Sequence, residues 1–278
     1  MNKLTVPQIE ESVALYKNGM SFKAIGDLFG VSDNAIRGLL NRRGLVSRTL
    51  SQSHRALACN HNYFNEPLDE NRAYWIGFIL ADGSVNEKCY GRTAQLSIAL
   101  ADKDRTHLEK FKNAIASEHK IITVNHKTGH LGARLSISSS ELVDSLSKFN
   151  IFPNKSASQL YSDLIPAHLL PHYFRGYFDG NGSISRHATS KWAISNVSSE
   201  SFLKSFLTWV CDNTHASLPP IGFSYGIWRV GWAGTHRCKE ILDLLYRSAS
   251  IYLDRKKALY DDICHDAESS NRTMYNLH

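Results

Sequence analysis

From Thr5 to about Arg48, apolar positions recur at helical spacing in three short runs. Ile9, Val13, Leu15 and Tyr16 predict one amphipathic helix, which Asn18-Gly19 ends. Ser21 stands where it caps a second helix, Phe22–Phe29, expected to turn Ala24, Ile25 and Leu28 inward. Gly30-Val31-Ser32 reads as a tight turn, and Asp33–Arg43 as a third helix stopped by Gly44. Two short helices joined by a turn containing Gly make a helix-turn-helix pattern. The outer face of the last helix carries Asn34, Arg37, Asn41 and Arg42, residue types that reach base edges and phosphates. A plain three-helix packing or dimer module is the alternative reading.

From Val46 to about Leu68 there is no clear period, and the stretch reads as a linker, with Arg48 and Arg55 as contacts to phosphate or simply solvated. From Asp69 the pattern changes and then repeats. Helix Glu70–Ala81 leads to strands Ser84–Cys89 and Thr93–Leu100, helix Lys103–Ala116, strands Lys120–Asn125 and Gly132–Ile137, and helix Ser140–Phe149. A second set follows: helix His168–Phe178, strands Ser183–His187 and Lys191–Asn196, helix Glu200–Asn213, strands Gly222–Tyr225 and Trp228–Trp232, and helices His236–Ser248 and Arg255–His265. Gly77 and Gly176, Asp82 and Asn181, Gly83 and Gly182, and Ser84 and Ser183 all pair at an offset of 99, and Arg134 pairs with Arg229 at 95. A near-constant offset over a whole unit signals duplication. The expected class is α+β: two pseudo-symmetric αββαββα units, residues 69–155 and 156–265, after an all-α module (1–48), a linker (49–68) and before a polar, frayed tail (266–278).

Composition narrows the reading. The chain has 278 residues, a net charge of +6 and 42% apolar residues. No apolar run approaches the ~20 residues a membrane-spanning helix needs. Met1–Glu10 is polar and resembles no targeting segment, so a cytoplasmic, prokaryotic or phage setting is expected. Residues 1–60 hold eight Lys/Arg and four acids, so +4 of the +6 lies there, which fits a polyanion partner. Five cysteines without a CxxC pair argue against a disulfide framework and a cysteine-rich zinc site.

The duplicated helix end is the most informative feature. One copy reads Tyr74-Trp75-Ile76-Gly77-Phe78-Ile79-Leu80-Ala81-Asp82-Gly83-Ser84-Val85, the other Tyr173-Phe174-Arg175-Gly176-Tyr177-Phe178-Asp179-Gly180-Asn181-Gly182-Ser183-Ile184. Small residues four apart, Gly77 with Ala81 and Gly176 with Gly180, share a helix face and permit close backbone approach. Helices packed on those faces would bring Asp82 and Asn181 together, with Gly83 and Gly182 allowing a sharp exit into each strand. The aromatics Trp75, Phe78, Phe174 and Tyr177 read as core.

In these motifs, and in Ile151-Phe152-Pro153-Asn154-Lys155-Ser156 and Ile251-Tyr252-Leu253-Asp254-Arg255-Lys256-Lys257, residues 69–265 resemble the LAGLIDADG homing endonucleases. Residues 5–48 resemble the DNA-binding domain of resolvases and invertases. The resemblance implies a monomeric saddle over a long double-stranded DNA target, pseudo-palindromic or asymmetric. It implies Mg²⁺, with Mn²⁺ or Ca²⁺ as substitutes for binding, held by the acid before the last Gly of each motif. Phosphodiester hydrolysis needs an activated water and a stabilised leaving oxygen, and carboxylates are the hard ligands Mg²⁺ prefers. Asp82 and Asn181 are the implied catalytic and metal residues, with the carbonyls of Ala81 and Gly180 as further ligands.

The sequence departs from the family pattern at Asn181, which offers a neutral oxygen. Three readings stay open: a tolerated ligand in a slower or strand-biased cutter, an inactivating substitution, or a protein that only binds nucleic acid as a regulator or RNA maturase. Asp179 is expected to be structural. Lys155 and Lys256, with Arg255 as competitor, match the basic residues the family sets near scissile phosphates, against an ordinary surface lysine. Strand alternation nominates Ser84, Asn86, Lys88, Arg92, Gln95, Arg134, Ser185, His187, Lys191, Tyr225 and Arg229 as the nucleic-acid face. Arg134 and Arg229, paired by the repeat, lead that set.

Overall fold

A computed structural model of the chain describes residues 4–17, 20–45, 57–87, 93–125, 129–154, 159–187 and 191–275. Three short helices come first: α1 (Val6–Lys17), α2 (Phe22–Phe29) and α3 (Asp33–Arg42). Ser21 and Ser32 cap α2 and α3, their hydroxyls accepting from Ala24 and Ala35 N–H at 3.1 and 3.2 Å. Gly30 turns between them at φ 66°, a left-handed conformation that Gly adopts without the steric cost of a Cβ. Tyr16, Ile25, Ile36 and Leu40 form a core of their own. The inward stripe of α2 runs through Phe22, Ile25 and Phe29, so Ala24 and Leu28, expected inside, are exposed. The Asn18-Gly19 stop lies outside the described residues.

Part of the expected linker is not a linker. Tyr63 and Phe64, in a short 3-10 turn, are buried in the main core, and Asn60 N–H donates to the carbonyl of Ile115 at 2.8 Å. Burial of two large aromatics against the first unit fixes this stretch. Arg48 and Arg55 lie outside the described residues.

The first unit is α4 (Glu70–Asp82), β1 (Gly83–Asn86), β2 (Gln95–Ala101), α5 (Arg105–Ala114), β3 (Ile122–Asn125), β4 (Leu131–Ser138) and α6 (Ser140–Ser147). The second is α7 (Leu170–Asn181), β5 (Gly182–His187), β6 (Lys191–Ser198), α8 (Glu200–Asn213), β7 (Gly222–Ser224), β8 (Ile227–Ala233) and α9 (Thr235–Tyr246). Each sheet is antiparallel and four-stranded, in the orders β1-β2-β4-β3 and β5-β6-β8-β7. Alternation sends Val85, Leu96, Ile98, Leu135 and Ile137 under the helices of one unit, and Ile184, Trp192, Ile194, Val230 and Trp232 under those of the other. The opposite face of each sheet carries no helix of its unit and is half-buried or exposed along most of its length.

A last helix, α10 (Asp254–Tyr275), runs through most of the stretch expected to be a frayed tail. Contacts to the second sheet hold part of its distal half. Asp266 accepts from Trp192 Nε1 at 2.8 Å and pairs with Arg186 at 3.0 Å, and Ala267 is buried. No helix among the described residues is long and apolar enough to cross a membrane.

Candidate active site at the paired helix ends

Helices α4 and α7 pack on each other through their small residues, and the contact is reciprocal. A Cβ on Gly77 would lie 2.0 Å from the carbonyl oxygen of Tyr173, and one on Gly176 would lie 2.0 Å from that of Tyr74. A Cβ on Gly180 would meet the Ala81 methyl at 2.4 Å and the Asp82 carboxyl carbon at 3.3 Å. The carboxylate of Asp82 therefore rests against the last turn of α7, and Asn181 ends that same turn. Helix α4 ends one residue, and α7 three residues, beyond the end its sequence pattern predicts, so both Asp82 and Asn181 close a helix and precede a strand. The exits need Gly for space, not for conformation. Gly83 and Gly182 are extended (φ −75° and −79°), but a Cβ would strike the Ile79 side chain at 2.6 Å or the Phe178 ring at 2.3 Å.

The two ends differ in what surrounds them. Asn181 Nδ2 donates to the Tyr177 hydroxyl at 2.9 Å. That hydroxyl reaches Gln159 Oε1 at 2.8 Å and Ser198 Oγ at 2.7 Å. At the offset of 99 the first copy has Phe78, so Asp82 has no such hydroxyl one turn back.

Beneath α7 lies a buried polar cluster absent from the first copy, where Arg175 and Asp179 are replaced by Ile76 and Leu80. Asp179 is fully buried and accepts from Tyr74 Oη at 2.7 Å, Tyr246 Oη, and Leu253 N–H at 2.8 Å. Burial raises its pKa, opposed chiefly by the Lys256 charge. Burial and the Asp179 charge push Tyr74 and Tyr246 up, keeping both phenols protonated as donors. Arg175 donates to the carbonyls of Ile251 and Leu245 at 2.8 and 2.9 Å and pairs with Glu70 at 2.9 Å. The second motif helix thus fastens the segment that leads into α10.

Lys256 belongs to this cluster, which corrects its reading as a lysine presented to a phosphate. It is 1% exposed, and its ammonium donates to the carbonyls of Phe178, Asp179 (2.8 Å) and Gly182 (2.6 Å). All three N–H groups have partners at the C-terminus of α7, where the helix dipole favours a cation. Burial lowers its pKa to about 8 despite the neighbouring Asp179. Arg255, its competitor, is paired with Asp104 at 2.9 Å. Lys155, Lys88 and Arg92 lie outside the described residues.

The sheet register makes Arg134 and Arg229 equivalent. Ser84, Ser97 and Ser136 align across the first sheet as Ser183, Ser195 and Gly231 do across the second, and each arginine stands two residues before the last member of its row. Both are exposed on the helix-free face. Ser84, Asn86, Gln95 and Ser185 share that face, while Tyr225 sits at a hairpin tip with φ 50°. His187 and Lys191 are backbone partners across the β5–β6 hairpin. On α3, Asn34, Arg37, Asn41 and Arg42 are all exposed, and the Arg37 guanidinium lies 5.5 Å from the Phe22 ring centre.

Sequence reasoning missed Gln159 and the part played by the Tyr177 hydroxyl. The exchange of Phe78 for Tyr177 between the copies was a usable signal. Gln159 gave none, because it lies in an aperiodic connector.

No protein-family model and no curated protein matches this chain. Among solved structures, it is similar to the LAGLIDADG homing endonuclease I-GzeII in complex with its DNA target, at 16% identity over 74% of this chain and 92% of that one, with a TM-score of 0.50. It is similar also to I-LtrWI bound to target DNA, at 12% identity over 77% and 92% of the two chains and a TM-score of 0.50. Identities this low speak to architecture alone, and the architecture is the two-unit, two-sheet fold of the LAGLIDADG homing endonuclease structures.

Proposed function

We propose that this protein is a divalent-metal-dependent endonuclease for double-stranded DNA, biased toward one strand. The observation that carries the reading is the reciprocal packing of α4 and α7, which seats the Asp82 carboxyl against Gly180 and beside the end that Asn181 closes. The similar folds solved with DNA supply its context.

The donor set fits one cation better than two. Among the described residues no group of three His, Cys, Asp or Glu side chains converges. Mg²⁺ is commonly held by one or two carboxylates together with substrate phosphates, so a site completed by DNA is consistent with Asp82 alone. Ala81 adjoins Asp82 in the chain, and Gly180 packs against its carboxyl, so their carbonyls are the further ligands in this reading. When bound, the ion supplies positive charge against the negative charge that develops at a scissile phosphate. On the other side, Asn181 offers a neutral oxygen, and its amide nitrogen is engaged by Tyr177, so this end lacks the negative charge that would favour a second cation. Asp82 thus provides the charge that collects the ion, and Asn181 orients without charge.

The helix-free faces of the two sheets carry the paired arginines Arg134 and Arg229, suited to guanine edges or phosphates. Exposed Asn34, Arg37, Asn41 and Arg42 on α3 extend the DNA contact in this reading, as a helix-turn-helix arm. Such contacts make affinity fall steeply with salt.

Asn181 also favours a second reading, a regulator or maturase of the same fold that binds without cutting. A duplex recovered from a randomised pool by binding in EDTA and then given Mg²⁺ separates the two. Cutting that EDTA stops supports the nuclease, whereas binding without any strand break supports the binder.

A further inference from the structure

The carbonyl oxygens of Leu80 and Asp179 are counterparts, each two residues before the closing residue of its motif helix. Both fall among the helix-end carbonyls that lack an intrahelical partner. They are met by different chemistry. Lys256 Nζ donates to Asp179 at 2.8 Å, and Gln159 Nε2 donates to Leu80 at 3.1 Å. One half of the site therefore has a cationic support and the other a neutral one.

Gln159 does more than cap α4. It is 3% exposed, and both ends of its amide are engaged. Its Nε2 is a donor to Leu80, so its Oε1 must face Tyr177 Oη (2.8 Å) and Ser198 Oγ (3.0 Å). Its main-chain carbonyl accepts from the Ser199 hydroxyl. The Tyr177 oxygen then accepts from Asn181 Nδ2, which leaves Asn181 Oδ1 as the end directed away from Tyr177. A single direction of donation runs along this chain. The connector between the two units thereby holds the last turn of the Asp82 helix and, through one hydroxyl, the amide of Asn181.

We propose that Gln159 is a positioning residue that fixes both halves of the site relative to each other. The proposal rests on the nuclease reading above. It touches no reacting atom, so its loss acts on the rate of cutting rather than on DNA affinity.

The test uses the full chain and a duplex selected by binding in EDTA, in single-turnover cleavage with Mg²⁺. Gln159→Met keeps the volume and removes both hydrogen-bonding ends. It lowers the cleavage rate about tenfold or more while the Kd for the duplex stays within about twofold. Gln159→Glu is slower still, because it sets a carboxylate oxygen against the Leu80 carbonyl. Tyr177→Phe breaks the chain beyond Gln159 and leaves Leu80 held, so it lowers the rate less than Gln159→Met. Parental rates in both Gln159 variants overturn the proposal, as does a loss of rate that tracks loss of affinity. An equal or larger loss in Tyr177→Phe overturns it too, and serves if the Gln159 variants do not fold. Binding without cutting by the parent chain overturns the nuclease reading and this inference together, whereas cutting that Gln159 does not affect overturns only the inference.

Discussion

A Cβ added to Gly77 would stand 2.0 Å from the carbonyl oxygen of Tyr173, and the mirrored distance from Gly176 to Tyr74 is the same. Both obstacles are backbone, so relief requires the helices to separate. Gly77→Ala and Gly176→Ala are each expected to cost about 3 kcal/mol or more, the upper end of the range for overpacking. Gly222→Ala, with nothing within 4 Å of its added Cβ, is expected to stay within about 0.5 kcal/mol of the parent. Urea unfolding of the three variants checks the contrast. Equal stability of Gly77→Ala and Gly222→Ala would mean that α4 and α7 are not in this contact.

Lys256 is the buried counter-charge to Asp179 and the cap on α7. Removing one partner of such a pair strands the other. Lys256→Met is expected to destabilise by about 3–5 kcal/mol. The double variant with Asp179→Asn is expected to lose less than the two single losses added together, because no charge is then left unpaired. A double-mutant cycle by chemical denaturation reads the coupling, and strict additivity would contradict the pairing.

His107 gives the fold a defined acid sensitivity. Burial, with the Lys110 charge adding to it, lowers its pKa from 6.5 to about 3. Its Nε2 lies 2.9 Å from Tyr74 Oη, whose own proton goes to Asp179, so Nε2 carries the hydrogen. The unfolded chain takes up a proton near pH 6.5 that the folded chain refuses until about pH 3. Stability from this group is present above pH 6.5 and is lost as pH falls toward 3, at about 1.4 kcal/mol per pH unit. His107→Gln, able to donate to Tyr74, is expected to flatten the decline between pH 6.5 and 4. Parallel pH profiles for parent and variant would refute this.

Much of the frame could be read from the residues because the repeat is written twice. Periodicity and the offset of 99 were enough to predict both αββαββα units and the meeting of the two motif helices. What escaped was set by contacts distant in sequence. Burial of Tyr63 and Phe64 turns the end of an apparently aperiodic linker into part of the first unit. Trp192 and Arg186 hold Asp266, which lets α10 continue where composition suggests fraying. Lys256 matches in sequence the basic residues that the resembled family sets near scissile phosphates, yet its register on α10 turns it into the core beneath Gly182. Chain-local patterns do not encode which carbonyl a long side chain will meet.

Asp82 and Asn181 form an unequal pair, and a duplex labelled on both strands tests the consequence most directly. With Mg²⁺, the parent chain is expected to cut one strand well ahead of the other. Asp82→Asn is expected to lose that faster cut by about a hundredfold or more while still binding the duplex, the scale expected for removing a group that acts in the transition state. Asn181→Asp is expected to bring the slower strand toward the faster one. Undiminished cutting by Asp82→Asn, or equal rates on both strands in the parent, would contradict the account.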